Sequence, residues 1–187
     1  ALTGFVSGAD SATAATDTVL QAFAKTQGQI TPLRNLALRY AKLSDTKSAG
    51  TAGGTFGSGS WQTRTLNTED SDASGIVSLS SNQFTLQSGT YRIAARAPGF
   101  GVELHKIKLR NVTDGADVLI GTSERSSSAD STQTASVLVG EFTIAGAKAF
   151  EIQHRCSSSL VTNGFGNPSN FGVSEVYTIV EIWKVGS

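Results

Sequence analysis

The stretch Glu175 to Val185, EVYTIVEIWKV, decides the fold. A period of two puts Val176, Val180 and Ile182 on one face and Tyr177, Ile179, Trp183 and Val185 on the other. Both faces are apolar. A strand in a two-layer sandwich buries only one face against the opposite sheet. The other needs cover, and a symmetric oligomer supplies it most simply. The stretch therefore predicts both a sandwich strand and an interface, with Tyr177, Ile179 and Trp183 as candidate interface residues.

Moving towards the N-terminus, the same alternation recurs with one apolar face. Phe150 and Ile152 oppose Glu151, Gln153 and Arg155. Ile107 and Leu109 oppose Lys106, Lys108 and Arg110, and Tyr91, Ile93 and Ala95 oppose Arg92 and Arg96. Further strands are expected at Asp117 to Thr122 and Ala135 to Ile144. Turn signals at Pro98-Gly99, Asp114-Gly115, Ala145-Gly146 and Asn163-Gly164 separate the runs. Many short strands so punctuated predict an all-β sandwich or jelly roll.

Before Asn82 the pattern is mixed. Trp61 to Leu66 reads as a short strand, Ser48 to Ser60 as a Gly/Ser/Thr loop, and Asn67 to Gly75 as a polar loop. Leu33, Leu36, Tyr40 and Leu43 fit a heptad, while Leu36, Leu38 and Tyr40 fit a strand equally well; the strand is taken. One short helix is expected near Thr16 to Gln27, capped by Thr16 or Asp17 and ended by Gly28. Such a helix is marginal alone in water. Leu20 and Phe23 would be covered by sister copies, which again predicts a symmetric oligomer. The expected organisation is an arm and coiled-coil segment over residues 1–34 and a head domain over residues 35–187.

Composition narrows the function classes. The 187 residues carry 15 Lys plus Arg and 15 Asp plus Glu, a formal net charge of zero, so no affinity for nucleic acid is expected. No apolar run is long enough to span a bilayer. The single cysteine, Cys156, allows no intrachain disulfide. No charged leader stands before an apolar core at Ala1, so synthesis in a cytoplasm is expected.

The search for chemistry finds no catalytic set, no metal site and no cofactor motif. His154 and Cys156 lie two apart on one strand face, too far for proton transfer, and read as core residues. Adding His105 gives an incomplete ligand set for a metal. Asn67, Glu69, Asp70 and Asp72 read as a solvated loop rather than a calcium site or a glycosidase pair. Lys106, Lys108 and Arg110 form a basic stripe, with Arg92 and Arg96 nearby in sequence, and read as a solvated strand face in preference to a binding face for acidic sugars or phosphates. The segment Asn163 to Ser174, NGFGNPSNFGVS, holds Phe165 and Phe171 among amides. Aromatic faces with Asn amides suit sugar binding; the alternative is that both rings tuck into the core or the oligomer seam.

Two stretches resemble known families. Leu2 to Ile30, with its strongest match around Thr16 to Lys25, resembles the coiled-coil entry of bacteriophage tail fibres. GTAGGTFGSGSW, RTLNTE, FTLQSGTYRI, HKIKLRNVTD, FEIQHRC, NGFG and EVYTIVEIWK, spread over Tyr40 to Val185, resemble a jelly roll of the tumour-necrosis-factor and complement-globular-head type. The resemblance implies a homotrimeric, non-enzymatic fibre or spike component made in the host cytoplasm and located in the virion. It implies an N-terminal arm held by a virion attachment protein and a head that binds host-surface carbohydrate or protein. A purely structural virion decoration, and more remotely a polysaccharide depolymerase, are the rival readings.

The resemblance also implies chain termini at the base of the jelly roll. If the last strand pairs with the first strand and with His105 to Asn111, the apical loops are Asp45 to Asn82, Thr113 to Asp117, Ala145 to Lys148 and Asn167 to Ser174. Pro98 to Leu104 and Ser123 to Gln133 then fall at the base. Only Asn167 to Ser174 joins an aromatic to amides at the apex, so Asn167, Asn170 and Phe171 are the candidate ligand-binding residues.

Overall fold

The computed structural model describes residue 8 and residues 11–37 and 39–186. They form two compact units, Ala1–Arg39 and Tyr40–Ser187.

The first unit is built on helix α1, Val19–Ala37. Its start is a capping box. Thr18 Oγ1 accepts the Gln21 N–H at 3.3 Å, and Gln21 Oε1 accepts the Thr18 N–H at 2.8 Å. The cap is therefore Thr18, not Thr16 or Asp17. Asp17 instead accepts the Ala14 N–H and pairs with Lys25 Nζ at 2.8 Å. The helix also outruns the expected stop. Gly28 costs α1 about 1 kcal/mol relative to Ala, and Pro32 removes one ladder hydrogen bond, yet the helix continues to Ala37. The heptad spacing of Leu33 and Leu36 thus prevails over the strand reading up to that point. The strand begins only at Tyr40, and the boundary between units falls at Arg39/Tyr40 rather than 34/35.

Among the described residues the second unit holds twelve strands: β1 Tyr40–Lys47, β2 Gln62–Thr63, β3 Thr68–Ser71, β4 Val77–Ser80, β5 Gln83–Leu86, β6 Gly89–Phe100, β7 Glu103–Asn111, β8 Ala116–Ile120, β9 Glu124–Ser126, β10 Gln133–Ile144, β11 Lys148–Cys156 and β12 Glu175–Gly186. One sheet runs β10-β6-β12-β1-β3. The other runs β4-β5-β11-β7-β8, with β2 joined to β11 and β9 to β7. All recorded pairings are antiparallel, and the architecture is a jelly-roll sandwich preceded by a helix. β3 lies within the segment expected to be wholly loop, and the strand expected over Trp61 to Leu66 contracts to Gln62–Thr63.

Alternation positions the core. Leu43, Tyr91, Ile93, Leu138, Val180 and Ile182 from the first sheet meet Phe84, Leu86, Ile107, Leu109, Phe150 and Ile152 from the second. Each such side chain contributes about 1.5–3 kcal/mol when fully buried. Phe150 sits at the centre, with ring centroids 5.8 Å from Phe84 and 5.2 Å from Phe142.

The neighbours of β12 are β1 and β6, not β7. That moves the loops. β6 and β11 both finish, and β12 begins, at one end of the sandwich, termed here the far end. Phe100 N–H donates to Gly164 O, Gly101 N–H to Thr132 O, and Ser157 N–H to Leu104 O, so 98–104, 123–133 and 157–174 are neighbours there. At the opposite end Val112 N–H donates to Ala149 O, and Lys148 pairs with Asp114. The turns 113–117 and 145–148 therefore lie away from Asn167 to Ser174, and the expected apical and basal sets are corrected accordingly. The expectation failed because it paired β12 with a strand of the other sheet.

Candidate functional site

The far end is a loop cluster tied together by backbone. Gly53 N–H donates to Gly166 O, Gly54 N–H to Thr162 O, and Phe56 N–H to Leu160 O, which joins the Gly-rich segment 48–60 to the segment 157–174. Gly53 and Gly166 are required by closeness. A Cβ at Gly53 would lie 2.6 Å from the Phe165 carbonyl carbon, and one at Gly166 would lie 2.1 Å from Tyr177 Cδ1.

Beneath the cluster lies Arg64, fully buried. Its Nε donates to Thr178 Oγ1 at 2.8 Å, its Nη1 to Pro98 O at 3.2 Å, and its Nη2 to Phe165 O at 2.8 Å. The guanidinium carbon also lies 4.1 Å from the Phe165 ring centroid. Burial pushes its pKa down to about 9, with Asp45 opposing the shift. Asp45 is buried too, paired with Lys47 at 3.2 Å, and burial raises its carboxyl. One arginine thus fixes β12, the end of β6 and the 157–174 segment at once. At the mouth, the Glu175 carboxylate accepts N–H groups from Gly50, Ser169 and Asn170 and the Ser169 hydroxyl. Those bonds hold its pKa below the usual carboxylate value.

The candidate ligand residues sit on this scaffold. Phe171 is 85% exposed, so it is in neither the core nor a contact with its own chain's interior. Phe165 is the ring that tucks inward, 4.4 Å from Phe56. Asn167 accepts from Asn163 Nδ2 at 2.6 Å, and its N–H donates to Gln133 Oε1 at 2.7 Å. Asn170 adopts a positive φ of 55° and donates its N–H to Glu175. Asn167, Asn170 and Phe171 therefore share one exposed loop with an anchored backbone.

The interface candidates divide. Tyr177 is 4% exposed, and its hydroxyl donates to Thr51 O at 2.7 Å. The chain's own 48–54 segment and Gly166 supply its cover, so its burial needs no second copy. Ile179 and Trp183 remain half-buried on the outer face of the five-stranded sheet, where Trp183 packs on Tyr40 at 5.3 Å. Val176, expected on the core face, is half exposed at the start of β12. On α1, Leu20 is 44% and Phe23 64% exposed within their own unit.

The other candidates resolve into structural roles. His105 Nδ1 lies 3.0 Å from His154 Nε2, and His105 Nε2 lies 2.8 Å from Thr134 Oγ1. Burial, aided by Arg64, pushes His105 down to about 4 and His154 well below its ordinary value. Both are neutral at neutral pH. The Cys156 thiol approaches Ser158 O at 3.2 Å, and burial pushes its pKa up to about 11, the opposite of an activated nucleophile. Asn67 clamps the backbone of Thr46 through both amide atoms, and Asp72 accepts the N–H groups of Ile76 and Val77. Asp70 pairs with Lys42 at 3.7 Å. Lys108 and Arg110 both pair with Asp117, at 2.9 and 2.8 Å. Arg92 and Arg96 belong to the other sheet.

Arg64 and Glu175 carry the site's organisation, and sequence reasoning missed both. Arg64 had a usable signal, a lone cation between Trp61 and Leu66 in a strand-like run.

Fold and site together define a jelly-roll head with a loop surface at its far end. No protein-family model matches the chain, and no curated protein matches it. Among solved structures, the globular domain of a zebrafish complement 1qA protein is similar at a TM-score of 0.47 and 13% identity, over 79% of this chain and 97% of that one. Murine APRIL at pH 8.5 is similar at 0.47 and 6% identity, over 77% and 97%. Murine APRIL at pH 5.0 gives 0.49 and 7%, over 77% and 97%. These are likenesses of fold alone; the jelly roll itself rests on the strand order above.

Proposed function

We propose that the protein is a non-enzymatic, homotrimeric binding head, a virion fibre or spike component whose far-end loops recognise a host-surface glycan. The observation that carries the binding role is Phe171, presented in solvent by a loop whose backbone is anchored on Glu175 and Gln133. A rigid frame offering an exposed aromatic beside amides is suited to a sugar ring. Trimerisation is supported by the outer face of the five-stranded sheet, where Val137 and Val139 are exposed and Ile179 and Trp183 only half-buried within the chain, and by Leu20 and Phe23 on α1. Three copies would raise the avidity of a weak single site. The virion setting rests on the tail-fibre resemblance of Leu2 to Ile30, whose arm would meet the attachment protein.

The test uses the full chain. Light scattering should give three times the 19.4 kDa chain mass, and a glycan array should show binding. The triple variant Asn167→Ala, Asn170→Ala, Phe171→Ala should lose array and host-cell binding with its melting temperature nearly unchanged. A monomer, or unaltered binding by the triple variant, would overturn the corresponding half of the proposal. A trimer that binds neither glycans nor cells would favour the purely structural role.

A further inference from the structure

Lys106 and Arg155 stand directly opposite each other where β7 pairs with β11. Like charges in that position repel. Further along the same face the problem is solved: Arg110 faces Glu151, and Lys108 and Arg110 share Asp117. Among the described residues no ion pair joins Lys106 or Arg155 to a carboxylate. The structure keeps two uncompensated cations side by side.

They line a groove of about 520 Å³ with Trp61, Leu104, Glu124 and Ser157. Gln62 pairs with His154, so the chain at Trp61 runs beside Arg155. Lys108 Nζ lies 4.3 Å from the Trp61 ring centroid, which fixes the indole in place. Leu104 is 63% exposed. Ser157 Oγ accepts the Leu104 N–H and keeps its own hydrogen to donate. Glu124 is the one carboxylate in the lining, and it accepts the Thr122 hydroxyl at 2.7 Å. His105 also borders the groove but is neutral, so the lining carries two positive charges against one negative.

We infer that this groove binds an acidic saccharide, with the sugar carboxylate across Lys106 and Arg155 and the pyranose ring against Trp61 and Leu104. Two cations at adjacent register positions match the two oxygens of one carboxylate. An indole and a leucine give the apolar face of a sugar its contact. Glu124 and Ser157 remain for ring hydroxyls, one as acceptor and one as donor. This site does not depend on Phe171 and its loop. It can stand if that reading fails, and the reverse also holds.

The test titrates the full-length protein by calorimetry and tryptophan fluorescence with tetrasaccharides of glucuronate-containing hyaluronan and of galacturonate. A neutral glucose tetrasaccharide and inorganic phosphate serve as comparisons. At least one acidic tetrasaccharide should bind and change the fluorescence, and the neutral one should not. Lys106→Gln and Arg155→Gln should each weaken binding by roughly tenfold, and Trp61→Phe should remove the fluorescence change. Asn167→Ala, Asn170→Ala, Phe171→Ala should leave this binding intact. Absence of acidic-sugar binding at millimolar concentration, or binding indifferent to Lys106→Gln and Arg155→Gln, overturns the inference. Phosphate binding as tightly as the sugar would reduce the groove to a general anion site and overturn it too.

Discussion

His105 Nδ1 and His154 Nε2 face each other at 3.0 Å inside the sandwich, so one hydrogen serves both nitrogens and the two rings cannot both be cations while the bond is kept. In the folded chain His105 is pushed down to about 4 and His154 lower than its ordinary value, chiefly by burial. The unfolded chain, with histidines near 6.5, therefore takes up more protons as pH falls. Stability is present in full above about pH 6.5 and declines from there towards pH 4. Urea unfolding should show a loss of about 2–4 kcal/mol between pH 7 and pH 5. A His105→Gln, His154→Gln variant, less stable overall, should be nearly flat across that window. The carboxylates held low, such as Asp114 and Asp117, act at more acidic pH, while Asp45, raised by burial, works in the opposite direction to the histidines by taking up its proton more readily in the folded chain.

Arg64 is a second pressure point. Arg64→Met keeps much of the side-chain volume but leaves Pro98 O, Phe165 O and Thr178 Oγ1 without their donor. Buried groups so abandoned cost about 1–3 kcal/mol each, partly offset by relief from burying a charge. We expect a net loss of about 2–4 kcal/mol in chemical denaturation. Hydrogen exchange should quicken in 157–174 more than in β11.

Gly166→Ala tests the packing of the loop onto β12. The new methyl would overlap the Tyr177 ring, and the glycine's φ of 144° disfavours any side chain. A thermal melt should fall by several degrees, whereas Tyr177→Phe, which removes only the bond to Thr51 O, should cost about 1 kcal/mol.

Phe23→Asp and Trp183→Asp separate assembly from folding. Both side chains lie at least partly in solvent within the single chain. Light scattering of each variant should show loss of trimer, while circular dichroism retains the β signature. A trimer that survives both changes would mean that neither face is an interface.

The strands with one apolar face were legible because period-two burial is written directly in YRIAARA, HKIKLRN and FEIQHRC. Helix α1 was legible in kind but not in extent. Gly28 and Pro32 are local stop signals, yet the helix runs through both to Ala37. The T-x-x-Q capping box at Thr18 and Gln21 was in plain view but was passed over for Thr16 and Asp17. Sheet order was not legible, because alternation states which face of a strand is buried and not which strand lies beside it. For the same reason Tyr177 was placed at an interface: nothing local to EVYTIVEIWKV tells that the Gly-rich segment folds over that ring. Phe171 and Phe165 could be told apart only by the fold, since each stands among the same small and amide residues.

Glu175 closes a short bracket. Its carboxylate grips the backbone at Ser169 and Asn170, and β12 starts from Glu175 itself, leaving Phe171, Gly172, Val173 and Ser174 outside the clasp and exposed. Within this slot Gly172 holds the turn at a φ of 79°, which disfavours any side chain, while Phe171, Val173 and Ser174 can change without disturbing the frame. If the proposed binding role holds, diversification of specificity is cheapest at these three positions, and a library randomised there should return mostly folded members with altered binding.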